Sequence, residues 1–213
     1  MQMAELSRRS RVPVATIKYY LRKGLLPPGT PTAATRAEYG EAHVRRLRLI
    51  RALIDIGDIP VAAVAHILAR VDDESVSLHA MFGAVQYSLG PQPARPVLDT
   101  AGQAARQEVE ELIGELGWRI TPDAPARELL ATALAALRRA DAPHGPGLHA
   151  YAAAMAALAA KEVPSVLPPD GGGKSRVELA EGAVAGMVLH ERVLVALRRL
   201  AQEDASARFF EDR

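Results

Sequence analysis

The chain has 213 residues, 49% of them hydrophobic and 4% aromatic, a composition that supports a sizeable Ala, Leu and Val core and excludes a disordered chain. Cysteine is absent, which removes disulfides, thiolate metal centres and cysteine nucleophiles. No stretch of roughly 18 uncharged apolar residues is present, and MQMAELSRRSR lacks the apolar segment of a signal peptide, so a soluble cytoplasmic protein is expected. The formal net charge of +1 is unevenly placed: residues 1–72 hold 12 Lys/Arg against 6 acids, and the remainder is correspondingly acidic. A basic head on an acidic body is the electrostatic footprint of a nucleic-acid module joined to another function.

Residues 3–10 can form a short helix with Leu6 inward. Pro13 suits the first turn of a second helix, which runs to Lys23 with Gly24 as its left-handed end. Val14, Ile17 and Leu21 give this helix a buried face, and Thr16, Lys18, Tyr19, Tyr20, Arg22 and Lys23 fall on the other. Pro27, Pro28, Gly29, Pro31 and Gly40 exclude a long helix over 25–40. LeuLeuPro and ArgAlaGluTyr are read there as two short strands around a polar tip. Helical periodicity returns from Glu41 to near Gly57 through Val44, Leu47, Ile50 and Ile54, and again after Pro60.

Beyond Asp72-Asp73 a helix is expected over about 75–89, followed by a GlyProGlnProAlaArgPro linker. Further helices are expected at about 98–117, 122–140, 146–162 and 175–204. Thr121-Pro122 and Ser175 are the candidate helix starts. The fold class is therefore mainly α: a winged helix-turn-helix with a small β wing at 1–72, a connecting helix and linker at 73–97, and an all-α effector-binding or dimerisation bundle at 98–213.

The second helix offers charge, hydroxyls and aromatic bodies on one side. Lys and Arg neutralise phosphates, and Tyr hydroxyls fix register by bonding phosphate oxygens. Packing against the wing is the other reading for Tyr19 or Tyr20, and a solvated helix face is the favoured reading of Arg45, Arg46 and Arg48.

The string AlaGluLeuSerArgArgSerArgValProValAlaThrIleLysTyrTyrLeuArgLysGlyLeuLeuPro (4–27) resembles the start of a MerR-type regulator. ArgAlaGluTyr at 36–39 stands where that family has its wing, and 43–57 is similar to the helix after it. The resemblance covers about residues 3–70. It implies a homodimer on a pseudo-palindromic promoter operator in double-stranded DNA, with RNA polymerase as a further partner. By position, Lys18, Tyr19, Tyr20, Arg36 and Tyr39 inherit the DNA contacts, with Arg8, Arg9, Arg11, Thr16 and Arg22 beside them. The interruption at Gly90-Pro91 departs from the family's single long pairing helix, which leaves residues 98–117 or the last helix to pair instead.

For the body, two readings stay open. It senses a small hydrophobic effector in a pocket drawn from Phe82, Tyr87, Trp118, Tyr151, Met155, Met187 and His190, or it serves only dimerisation or protein contact, as in a ligand-independent or architectural DNA-binder. The same seven residues also suit ordinary core packing. No metal, cofactor or catalytic residue is expected. The histidines lack ligand spacing, and GlyGlyGlyLysSer (171–175) has Pro168 where a phosphate loop needs glycine, so it reads as a linker. No nucleophile–base pair is legible, which leaves an enzyme with a DNA-targeting head as the weakest alternative.

Overall fold

The computed structural model describes residues 1–33, 36–88, 99–142, 145–167 and 171–211. Within these, α1 (Met3–Ser10), α2 (Val14–Arg22), β1 (Thr30–Ala33), β2 (Arg36–Glu38), α3 (Glu41–Arg51), α4 (Val61–Asp72) and α5 (Leu78–Ser88) come first. They are followed by α6 (Thr100–Glu115), α7 (Pro125–Arg139), α8 (Leu148–Val166) and α9 (Arg176–Glu211). The architecture is mainly helical with one two-stranded antiparallel wing, as expected. The linker expected after residue 89, its Gly90-Pro91 break, His144 and Pro168 lie outside the described residues.

The chain divides into two compact units, Met1–Val85 with Gly171–Arg213, and Gln86–Asp170. The body expected at 98–213 is thus split, because its last helix returns to the head. In the first unit Leu6, Ile17, Leu25, Leu26, Leu47, Ile50, Leu53 and Ile67 are fully buried. Ala180, Ala183, Val184 and Val188 of α9 are buried with them. Arg176 anchors the beginning of α9 by donating to the carbonyls of Val71, Asp73 and Val76, the second at 2.8 Å.

Several sequence expectations are corrected. LeuLeuPro is not a strand: both leucines are buried, which a two-faced strand cannot do with adjacent residues, and both backbone N–H groups close the end of α2 on the Tyr20 carbonyl. Strand β1 begins at Thr30 instead and pairs Thr30 with Glu38 and Pro31 with Ala37. The helix from Glu41 ends in a π-helical turn, Ala52–Ile56, where Gly57 N–H bonds to Ala52 O at 2.9 Å, five residues back. Thr121-Pro122 does not start α7. The Thr121 hydroxyl is engaged with Tyr87, and Pro125 occupies the first helical turn. The glycines expected as linker form a 3₁₀ turn, Gly171–Gly173, leading into α9. Ser175 caps α9 as expected: its Oγ accepts from Glu178 N–H at 3.3 Å, while Glu178 Oε2 accepts from Ser175 N–H at 3.0 Å.

The second unit is built on the pairing of α6 with α7. Ala105, Val109, Ala131, Leu134 and Ala135 form its buried seam. Three alanines let the two backbones approach closely. Cross-helix ion pairs rim that seam: Arg106–Glu128, Arg127–Glu110, Arg138–Glu108, and Arg139 with Asp99, the N-cap of α6. In α8 only Ala152 is buried, although the helix runs to Val166, past the expected end.

Candidate nucleic-acid interface

The local sequence explains how α2 is presented. Ile17 and Tyr20 face inward, which turns Val14, Ala15, Lys18 and Arg22 to the exterior and leaves Thr16 and Tyr19 half-buried. Arg11 takes the left-handed conformation (φ 57°) and Val12 N–H bonds to Ser7 O at 3.3 Å, so the turn between α1 and α2 is tight. Gly24 has φ +70°, the left-handed end the sequence calls for.

The wing is held against the head at its base. A Cβ on Gly29 would lie 2.7 Å from Glu38 O and 2.9 Å from the Tyr39 ring, so only glycine permits this approach. His43 bridges the same corner. Its Nδ1 accepts from Gly40 N–H at 3.0 Å, which places the ring proton on Nε2, 3.4 Å from Pro28 O. The Tyr39 ring meets His43 edge-on at 5.2 Å. His43 carries no ligand-binding spacing in the sequence, and nothing there reveals this bracing role; only the fold brings Pro28 beside it.

The ten expected DNA-contact residues fall into four groups, of which the half-buried Thr16 and Tyr19 of α2 are one. Tyr20 and Tyr39 are buried, and burial raises the Tyr20 phenol above its ordinary pKa. Both therefore serve first as packing, which is the alternative the sequence left open for Tyr20. Arg8 and Arg9 are exposed but carry intramolecular partners: Arg8 pairs with Glu5, and Arg9 holds Glu41 through both of its terminal nitrogens, Nη1 and Nη2, tying α1 to α3. Arg11, Lys18, Arg22 and Arg36 are exposed, and none has a carboxylate partner among the described residues. An exposed cation without a protein partner retains its whole charge for a polyanion. Arg8, Arg9, Arg11 and Arg48 also share a shallow cavity of about 690 Å³ with Glu5 and Ser10.

Arg45, Arg46 and Arg48 do not form one solvated face. Arg48 is exposed, but Arg46 is 4% exposed and pairs with Asp72 of α4 and with Glu181 of α9, the latter at 3.4 Å. Arg45 reaches Glu178 at 3.3 Å. The cause is the return of α9, which brings acids onto α3 from more than a hundred residues away. Burial raises the pKa of Glu181 above the ordinary carboxylate range, against the pull of Arg46 and Arg45.

The seven residues considered for an effector pocket are divided between the two units. Phe82, Met187 and His190 belong to the first unit, whereas Tyr87, Trp118, Tyr151 and Met155 belong to the second. Trp118, Tyr151 and Met155 are exposed. His149 pairs with Glu115 at 2.8 Å.

The head matches a family of known proteins. Residues 1–71 fit the MerR HTH family of regulatory proteins. The chain belongs to that family. It is 36% identical over 75 residues to the HTH-type transcriptional regulator HmrR of Sinorhizobium medicae (strain WSM419), a match covering 35% of this chain and about half (50%) of that protein's length. Its structure is similar to that of SCO5550, a candidate transcriptional regulator from Streptomyces coelicolor A3(2), with 44% identity, a TM-score of 0.76, and coverage of 98% of this chain and 97% of the other. This MerR-family regulator has no helix, among the described residues, long and apolar enough to cross a membrane.

Proposed function

We propose that this protein regulates transcription by binding a pseudo-palindromic operator as a homodimer. The observation that carries the reading is the set of unpaired cations around α2 and the wing: Arg11, Lys18, Arg22 and Arg36. Lys18 and Arg22 lie on the outward side of α2, four residues apart, one above the other. A helix of this kind enters the major groove while a wing follows the neighbouring backbone. Tyr19 and Thr16, half-buried on the same helix, supply hydroxyls for register. Arg8 and Arg9 are second-rank contacts, since each would first give up a carboxylate partner.

The second half of α9 supports pairing with another copy. No described residue after Val188 is buried, yet Val193, Leu197 and Leu200, spaced four and three apart, are 51%, 57% and 62% exposed. Apolar residues at that spacing make the stripe of a helix–helix seam. Arg198 and Arg199 precede Glu203 and Asp204, so an antiparallel partner sets each basic pair against an acidic one. A helical body that responds to a small hydrophobic effector, with RNA polymerase met at the promoter, completes the proposal.

Titration of an in vitro-selected operator at several salt concentrations tests the DNA reading. Lys18→Ala and Arg36→Ala should each weaken binding to all sequences and lower the log–log salt slope by about one. Unchanged affinity and slope in both variants would refute it. Leu200→Arg should convert the dimer to monomer in light scattering.

A further inference from the structure

A cleft of about 370 Å³ lies between α3 and the first turns of α9, and the DNA contacts make no use of it. Its floor is apolar, formed by Leu49 and Ala52 on one side and by Gly182 and Ala185 on the other. Its rim is charged, and the charges are not balanced. Glu178 is already committed: its carboxylate accepts from the N–H and the hydroxyl of Ser175, and Arg45 stands at 3.3 Å. Glu181 is committed to Arg46 and, at 3.9 Å, to Arg45. Arg48 and Lys174 also line the cleft, and neither has a carboxylate partner among the described residues. Arg45 Nε, buried at the same wall, makes no hydrogen bond.

We infer that this cleft binds a small amphipathic carboxylate, with its head between Arg48 and Lys174 and its alkyl chain along Leu49, Ala52 and Ala185. The charge supports an anion: the groups facing the cleft without a partner are cations, and a charge-assisted hydrogen bond to a guanidinium or ammonium is about twice as strong as a neutral one. The floor supports an alkyl chain, because apolar lining with a few placed polar groups is the composition of a small-molecule site. The volume is within the range of small-molecule pockets and admits an eight-carbon chain. The ligand would touch α3, which follows directly on the wing, and α9, which carries the exposed seam, so it bears on both parts of the proposed regulator. Its binding does not depend on the DNA reading.

The test is calorimetric titration of the full-length protein with octanoate, with octan-1-ol and inorganic phosphate as separate probes. Two variants locate the site. A Cβ on Gly182 meets nothing within 4 Å, so Gly182→Leu fills the cleft without disturbing the packed core. Arg48→Gln removes a cation that has no carboxylate partner to lose. Octanoate is expected to bind the wild type, to bind either variant at least tenfold more weakly, and to bind at least tenfold better than the alcohol or phosphate. No octanoate binding, equal binding in Gly182→Leu, or equal binding of phosphate alone would each overturn the inference. No DNA enters the measurement, so its failure is separate from that of the operator reading.

Discussion

Gly57 is where α9 meets the head, and it permits a sharp test of that contact. A Cβ built on Gly57 would lie 2.5 Å from Val188 Cγ1 and 2.6 Å from Leu53 O. Its backbone is ordinary for any residue (φ −71°), so the requirement for glycine is steric. Gly57 O also accepts from Arg192 Nη2 at 2.6 Å, so a shift of the backbone disturbs a second contact with α9. Overpacking of this kind costs about 1–3 kcal/mol, and a clash against backbone as well as side chain points to the upper part, about 2–3 kcal/mol. For a chain of this length that lowers Tm by about 4–12 °C, measured by scanning calorimetry. Val188→Ala alone should cost about 2 kcal/mol through the lost methyl groups. Together the two should cost less than their sum by about 1 kcal/mol, because removing Cγ1 relieves one of the two clashes. A Gly57→Ala protein melting within about 1 °C of wild type, or costs that add within about 0.5 kcal/mol, would refute the packing described for α9.

Arg46→Ala should destabilise by about 3–5 kcal/mol in urea unfolding, since it leaves the buried Glu181 without its cation and also takes the partner of the exposed Asp72. Glu181 has a raised pKa in the folded state, so its contribution to stability is present below the unfolded carboxylate range and is lost as pH rises through the folded value. Glu181→Gln should therefore flatten the fall in stability on the alkaline side of about pH 4.5. The lowered Glu178 acts in the opposite sense: its stabilisation is present above the unfolded value and lost as pH falls through the folded one. Unfolding free energies across that range in Glu181→Gln and Glu178→Gln should move in opposite directions. Leu134→Ala, at 4% exposure in the α6–α7 seam, should cost about 2–5 kcal/mol by calorimetry, and an unchanged Tm would contradict that seam.

Much of the head was legible in the sequence because its determinants are local. Pro13 and Gly24 bound α2, Ser175 and Glu178 cap α9, and the period of Val44, Leu47 and Ile50 sets the inward face of α3. Chemistry of that kind needs only neighbours within a turn or two. The same kind of periodicity sets Lys18 and Arg22 outward in α2, as found, but it also set Val14 inward and Tyr20 outward, and the structure reverses both. Other features depended on partners distant in the chain. Adjacent Leu25 and Leu26 read as a strand, and only closure of α2 on the Tyr20 carbonyl shows why both are buried. Thr121-Pro122 and Pro125 offer competing helix starts, and Tyr87 removes the Thr121 hydroxyl from capping. Arg46 looks like any surface arginine until α9 sets Glu181 against it. The sequence alone thus determined the family, the helical character and the basic head, all written in short-range pattern and composition. Tertiary structure decided which cations remain free, because an ion pair across a hundred residues leaves no periodicity to read.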